Sequence, residues 1–165
     1  MTTLRALEPT DVDCLYLWEN NPEMWRFGFS PAPLSRHQIW EYISTYDSNP
    51  ISAGQLRLMI DCDGTPAGAV DLYNIDIRNR HAFVGIMVAD PHRRRGIALE
   101  ALKLLHAYCR DNLGLTRLAA TVAADNEPSL RLFAKAGYAL TAVLPSWIYR
   151  TADTAVPANV FIKSL

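Results

Sequence analysis

The sequence predicts an α/β fold of the mixed-sheet, α+β kind, with roughly six to seven strands flanked by about four helices in the order βααβββαβαββ. Three observations carry that reading. Asp63-Gly64 and the polar turn Arg78-Asn79-Arg80 separate three apolar runs, which makes those runs antiparallel neighbours. Ala82 to Val88 is nearly all apolar, as in a central strand buried on both faces. A long amphipathic stretch then separates it from another strand-like run, Arg117 to Ala123, and a helix between two strands is the crossover that a parallel pair needs. The sheet is therefore parallel at that crossover and antiparallel elsewhere.

The elements follow in order. Thr2 to Leu7 reads as a first strand, and Thr10 offers an N-cap to a helix through Val12, Leu15, Tyr16 and Trp18 that closes near Asn20-Asn21-Pro22. Residues 22 to 34 hold three prolines and the aromatics Trp25, Phe27 and Phe29, which predicts a loop. Ser35 caps a second helix through Ile39, Trp40 and Ile43. Gln55 to Cys62 alternates with Leu56, Leu58 and Ile60 on one face, and the next strand runs from Ala67 to about Ile77. The long helix spans about Gly96 to Asn112, with Ile97, Ala101, Leu104, Leu105 and Tyr108 on its buried face and Gly114 as its stop. Asp125 or Asn126 caps a short helix carrying Leu130, Phe133 and Ala136, ended by Gly137. Tyr138 to Tyr149 and Val156 to Ile162 form a closing hairpin.

Size and composition exclude several classes. A chain of 165 residues, half of them apolar, suits one compact domain over 1–165. A formal net charge of −1 argues against a nucleic-acid binder, which needs a positive excess to displace counterions. Cys14, Cys62 and Cys109 are odd in number and widely spaced, so neither a disulfide framework nor a metal site is expected. No N-terminal apolar block resembles a signal peptide, and no run approaches the ~18 residues that span a bilayer. A cytoplasmic protein without nucleic-acid or membrane partners is the expectation.

The most informative stretch runs from Val84 to Ala101, a strand followed by Arg93-Arg94-Arg95-Gly96-Ile97-Ala98 and the opening of the long helix. The first amides of a helix lack intrahelical acceptors and sit at the positive end of its dipole, so those of Arg94 to Ala98 can converge on a phosphate. Gly96 lets the backbone come close. The bland alternative for the three arginines is a solvated basic turn.

The hexapeptide resembles the Gln/Arg-x-x-Gly-x-Gly/Ala cofactor motif of the GNAT superfamily of N-acetyltransferases. Its context matches too: a buried strand before, a helix and a strand after, then Asn126-Glu127-Pro128-Ser129 leading to Lys135-Ala136-Gly137-Tyr138. Gly68-Ala69-Val70-Asp71-Leu72 and Asn79 to Ile86 look like the branch that holds ribosomal-protein-alanine and spermidine N-acetyltransferases. The resemblance implies the GNAT fold and acetyl-CoA as cofactor. The pantetheine arm would pair along Ile86, Met87 and Val88, in a cleft where two parallel strands splay. The diphosphate would take the amides of Arg94, Arg95, Gly96, Ile97 and Ala98, with the Arg93 to Arg95 side chains as supplements. Charged hydrogen bonds of roughly 1.5 to 3 kcal/mol each bring about micromolar affinity, near 8 kcal/mol, within reach of a few such contacts.

The implied chemistry is direct attack of a primary amine on the thioester, with no acyl-enzyme. It calls for loss of an amine proton, a donor to the carbonyl oxygen and relief of the leaving thiolate. Many members place a tyrosine acid where Phe133 stands, and a phenyl ring donates no proton. Ser129, one helical turn away on the same face, is the candidate contact for the sulfur, with capping of the helix start as the alternative. Asn126 reads equally as a cofactor contact or a cap, and Phe133 as lining the cofactor site. Asp71, which shares a strand face with Tyr73, is the candidate base through water; the competing reading is an ion pair or backbone bond of structural purpose. His37 and His81 read as surface residues.

Trp25, Phe29, Tyr73 and Trp147, with Tyr149 beside the last, are candidates for the acceptor wall, against a plain core role. The first loop, Phe27 to Pro33, lacks a carboxylate, which speaks against a polyamine. An α-amine of pKa ~8 needs less help from a base than an amine at ~10.4, so a peptide α-amine or a small amine is favoured. The rival class is a catalytically silent acyl-CoA-binding or sensing module. A homodimer stays open, because nothing in the chain fixes an oligomeric state.

Overall fold

The computed structural model describes residues 1–25 and 32–165, so Phe27 and Phe29 lie outside the described residues. Seven strands form one sheet. They are β1 (Thr2–Arg5), β2 (Leu56–Cys62), β3 (Thr65–Asp76), β4 (His81–Val88), β5 (Arg117–Ala123), β6 (Ala139–Tyr149) and β7 (Ala155–Ser164), in the spatial order β1-β2-β3-β4-β5-β7-β6. Only β4 and β5 run parallel, and every other pairing is antiparallel.

The described helices are α1 (Val12–Glu19), α2 (Pro22–Trp25), α3 (Arg36–Ser44), α4 (Pro50–Ala53), α5 (Ile97–Asp111) and α6 (Glu127–Lys135). Two of these correct the sequence reading. The first part of the expected 22–34 loop is the single turn α2, and α4 was not anticipated. Both have four residues, too few for a 3.6-residue period to show. Thr10 does not cap α1; it lies inside a 3-10 turn, Pro9–Asp11, that Glu8 and Asp11 close as a capping box. Ser35 does cap α3, accepting from the Gln38 amide at 3.1 Å while Gln38 reaches back to the Ser35 amide at 2.8 Å.

Alternation along the strands sends the two faces of the sheet to different partners. Leu56, Ile60, Val70, Leu72, Ala82 and Val84 bury against Ile97, Ala101, Leu102 and Leu105 of α5, the main core. On the other face Met59 and Ala69 pack with Leu15 of α1 and Ile39 of α3. Leu104, expected on the buried face of α5, is 41% exposed, whereas the polar His106 is buried. The sheet thus carries α5 and α6 on one side and α1 and α3 on the other, with β4 and β5 at the centre.

Candidate active site

The central parallel pair is short. Its register runs only from His81 opposite Arg117 to Phe83 opposite Ala119, although β4 continues to Val88 and β5 to Ala123. Past Phe83 the strands part and leave a wedge. The Ala89 amide donates to the Ala67 carbonyl at 2.9 Å, and Met87 faces Ala69 in the same ladder. By the alternation of an antiparallel ladder, odd-numbered residues of β4 bond to β3, so Ile86 and Val88 turn their N–H and C=O groups toward the wedge.

The wedge ends at the loop before α5. Arg94 and Gly96 have φ of 60° and 80° around Arg95, a left-handed alternation that gathers successive amides into an anion-binding nest. Among the described residues, none accepts a hydrogen bond from the amides of Arg94, Arg95, Gly96, Ile97 or Ala98; the first helical bonds come from Leu99 and Glu100 to the Gly96 carbonyl. A Cβ placed on Gly96 would meet no protein atom within 4 Å, so the space above it is open. These residues fit a diphosphate: donors face outward at a helix start, with nothing of the chain in front of them.

Arg93 behaves differently from its neighbours. Its Nε donates to the Val88 carbonyl at 2.9 Å, its Nη1 pairs with Asp90 at 2.5 Å and its Nη2 reaches the Met24 sulfur at 3.0 Å. The side chain clamps the loop, β4 and α2 together. Beside it lies a cavity of about 260 Å³ lined by Leu17, Trp18, Met24, Met87, Ala89 and Arg93. Trp18, read from sequence only as a helix residue, therefore lines the face of β4 that looks toward α1 and α2.

Across the wedge, Asn126 accepts from the Ser129 amide at 3.4 Å, the cap that was one of its two readings. Ser129 is half-buried, and among the described residues its hydroxyl has no hydrogen-bond partner. Phe133 is buried in the main core with its ring edge-on to Tyr138, centroids 5.0 Å apart. The Tyr138 hydroxyl is also turned away, to Nε2 of His106 at 3.0 Å.

Asp71 makes the ion pair of its structural reading. It stands opposite Arg57 in the β2–β3 register, and Nε and Nη2 of Arg57 hold its two carboxylate oxygens at 2.6 and 3.0 Å. Nη1 of Arg57 goes to Glu19 at 3.0 Å, and its main-chain N–H donates to the Tyr46 hydroxyl. Burial opposes the Arg57 charge, but Asp71 more than offsets it and raises the guanidinium pKa further. Both carboxylate oxygens of Asp71 are thus held by Arg57, the geometry of its structural reading. The sequence allows an ion pair for Asp71 but does not single out Arg57 as its partner, since that depends on cross-strand register.

The acceptor-wall candidates scatter. Tyr73 stacks on Phe83 at 5.6 Å, and burial, then the charge of Asp71, raises its phenol pKa. It flanks Gly85 of β4, where a Cβ would stand 4.0 Å from both Tyr73 Cε1 and Asp71 Cβ. Trp25 is half-buried and donates from its indole N–H to the Glu19 carbonyl at 2.7 Å, which fixes α2 on α1. Trp147 is 64% exposed on the edge strand β6, with no core role. It lies three residues before Arg150, whose pair with Asp125 (2.6 and 3.0 Å) ties that end of β6 to the start of α6.

Among the described residues no helix is long and apolar enough to cross a membrane. Comparison with known proteins agrees with the geometry. A family model described as an acetyltransferase (GNAT) domain matches residues 2–139. Spermidine N(1)-acetyltransferase of Escherichia coli (strain K12) is 28% identical over 137 residues, covering 83% of this chain and 72% of the relative. A putative ribosomal N-acetyltransferase, YdaF of Bacillus subtilis (strain 168), is 32% identical over 146 residues, covering 82% and 76%. The crystal structure of spermidine N-acetyltransferase from Vibrio cholerae in complex with CoA and spermine superposes with a TM-score of 0.87 at 22% identity, over 99% of this chain and 95% of that one. A splayed parallel pair, an open amide nest at the helix that follows it and this family match lead to one conclusion: the chain belongs to the GNAT acetyltransferases and is an N-acetyltransferase that draws its acetyl group from acetyl-CoA.

Proposed function

We propose that the acetyl group passes by direct attack of a primary amine on the thioester, and that the acceptor is the α-amine of a peptide or protein, or a small amine. The observation that carries this reading is the parting of β4 from β5 after Phe83, immediately before the free amides at the start of α5. Acetyl-CoA, when bound, supplies an activated carbonyl and a thiol leaving group. The chain's own part is positional. The amides of Arg94 to Ala98 hold the diphosphate, and the groups of Ile86 and Val88 that face the wedge pair with the pantetheine amides. A main-chain amide of β4 meets the negative charge that develops on the carbonyl oxygen. The Ser129 hydroxyl, unengaged by the described residues, is the donor toward the departing sulfur in this reading.

The amine approaches from the face of β4 that looks toward α1 and α2, where Trp18, Met24, Met87 and Tyr73 lie. Its nitrogen forms the new C–N bond, the C–S bond breaks with its electron pair on sulfur, and the amine proton leaves to solvent. With Asp71 committed to Arg57, an acceptor already partly unprotonated near neutral pH is the more suitable one. A polyamine is the second reading, favoured by the relative that bears spermidine in its name. A cytoplasmic setting accords with three free cysteines, of which Cys109 is buried with its thiol pushed up to about 12 by desolvation.

The test is a panel of peptides differing in their first residue, small amines and polyamines, scored by release of the CoA thiol. Turnover with peptide or small amines supports the reading, and turnover confined to polyamines replaces the acceptor class. Silence across the panel with intact acetyl-CoA binding would make the chain an acyl-CoA sensor.

A further inference from the structure

Asp71 pairs with Gly85 and Ala69 with Met87, and Ala69 packs with Leu15 of α1 and Ile39 of α3. Residues opposite one another in a ladder share a face, so Gly85 and Met87 both look toward the helices from which the acceptor comes. At Gly85 the strand is bare. A Cβ built there would stand 4.0 Å from Tyr73 Cε1 and Asp71 Cβ, with nothing nearer. Two residues on, about 7 Å along the strand, Met87 joins Trp18 of α1, Met24 of α2 and Ala89 around the cavity of about 260 Å³. Pockets that bury a drug-sized ligand run from roughly 300 to 1,000 Å³, so this one has the size of a single side chain.

The charges of that cavity are already paired. Asp90, the carboxylate among its lining residues, is held by Nη1 of Arg93, whose other two nitrogens go to the Val88 carbonyl and the Met24 sulfur. Asn21, also in the lining, turns its Oδ1 to the Glu23 amide at 3.0 Å. An ammonium or a carboxylate entering here would leave water without gaining a free counter-charge. An alkyl or thioether chain instead meets an indole and two methionines, whose flexible side chains adapt to its shape.

We propose that this cavity is the specificity pocket for the acceptor, and that it selects a primary amine whose neighbouring carbon carries an uncharged apolar side chain of about methionine or leucine size, as at the N-terminus of a peptide. This rests on the acetyl-transfer reading above and adds to it the substrate class. With the diphosphate on Arg94 to Ala98 and the pantetheine along Val88 and then Ile86, the thioester falls at the inner end of the wedge, beside Gly85. An amine that reaches it over Gly85 holds its own side chain one step outward, against Met87.

The test compares tripeptides that begin with methionine, leucine, glycine, lysine or glutamate and end in two alanines, with spermidine beside them, by release of the CoA thiol at saturating acetyl-CoA. The methionine and leucine peptides should exceed the other three in kcat/KM by at least about tenfold, chiefly through KM. Leu17 lines the same cavity and is 66% exposed, so Leu17→Glu leaves the core intact. In that variant the preference for methionine over lysine should fall by at least about tenfold while the KM for acetyl-CoA holds. The wild-type ranking decides alone if the variant does not fold. Equal values across the peptides, a charged first residue or spermidine preferred by the wild type, or an unchanged ranking in folded Leu17→Glu overturn the pocket and leave acetyl transfer to an amine standing. No turnover of any of these amines, with acetyl-CoA still bound, removes the acetyl-transfer reading and the pocket with it.

Discussion

Arg57 and Asp71 face each other across β2 and β3 in a two-point ion pair, with Nε to Oδ1 at 2.6 Å and Nη2 to Oδ2 at 3.0 Å. The pair has an activity consequence. If Asp71 serves structure, Asp71→Asn keeps the shape of the pH–rate profile and lowers stability by about 1–2 kcal/mol, discounted from a fully buried pair because both side chains keep some exposure. Thermal unfolding and initial rates from pH 6 to 9 read the two effects. A hundredfold loss of kcat at unchanged stability would instead return Asp71 to the chemistry.

Gly96 separates strain from ligand contact. Its φ of 80° is left-handed, and the space above it is open. Gly96→Val should therefore cost about 1–2 kcal/mol of stability from backbone conformation. It should also weaken acetyl-CoA binding by at least about tenfold, or 1.4 kcal/mol, because the side chain stands where the diphosphate docks. Gly96→Asn, whose side chain tolerates that φ better, should recover more of the stability than of the affinity. Calorimetric titration beside thermal melts distinguishes them, and full affinity in a folded Gly96→Val would mean that no ligand passes over this residue.

Most of the frame was legible because it rests on local signals. The period of α5, the Ser35 and Asn126 caps and the Asp63-Gly64 turn each state their structure within a few residues. The anion nest was legible for the same reason, being backbone plus one glycine. What stayed hidden depends on partners distant in sequence. Arg57 and Asp71 meet only once β2 and β3 find their register. The burial of Phe133 against Tyr138 likewise depends on packing between distant segments, which its place in a motif does not state. Leu104 fitted the apolar stripe of α5, but the core ends short of it, and His106 is buried because Tyr138 satisfies its ring nitrogen.

His106 predicts a pH dependence of stability. Desolvation, then the Lys163 charge, lowers its pKa from 6.5 to about 4. The folded state thus holds the neutral ring, and between those values the unfolded chain binds more protons. This contribution is fully present above about pH 6.5 and is lost as pH falls toward 4, up to roughly 3 kcal/mol in all. Urea unfolding at pH 4.5 and 7.5 should show the difference, and His106→Gln should flatten it. An equally steep dependence in that variant would place the titration in other groups.

Ser129→Ala tests the sulfur contact. The hydroxyl is free of the described residues, so its removal should leave folding within about 0.5 kcal/mol, as for other changes away from packed or capped positions. If Ser129 donates to the departing thiolate, kcat falls about 10- to 100-fold while the dissociation constant for acetyl-CoA barely moves. An unchanged turnover number would remove Ser129 from the mechanism.

A crystal structure of the protein with CoA tests the central claim most directly. The account predicts diphosphate oxygens within about 3 Å of the Gly96, Ile97 and Ala98 amides, and the pantetheine running along Ile86 and Val88 between β4 and β5. A nucleotide seated elsewhere, with those amides facing only solvent, would contradict it.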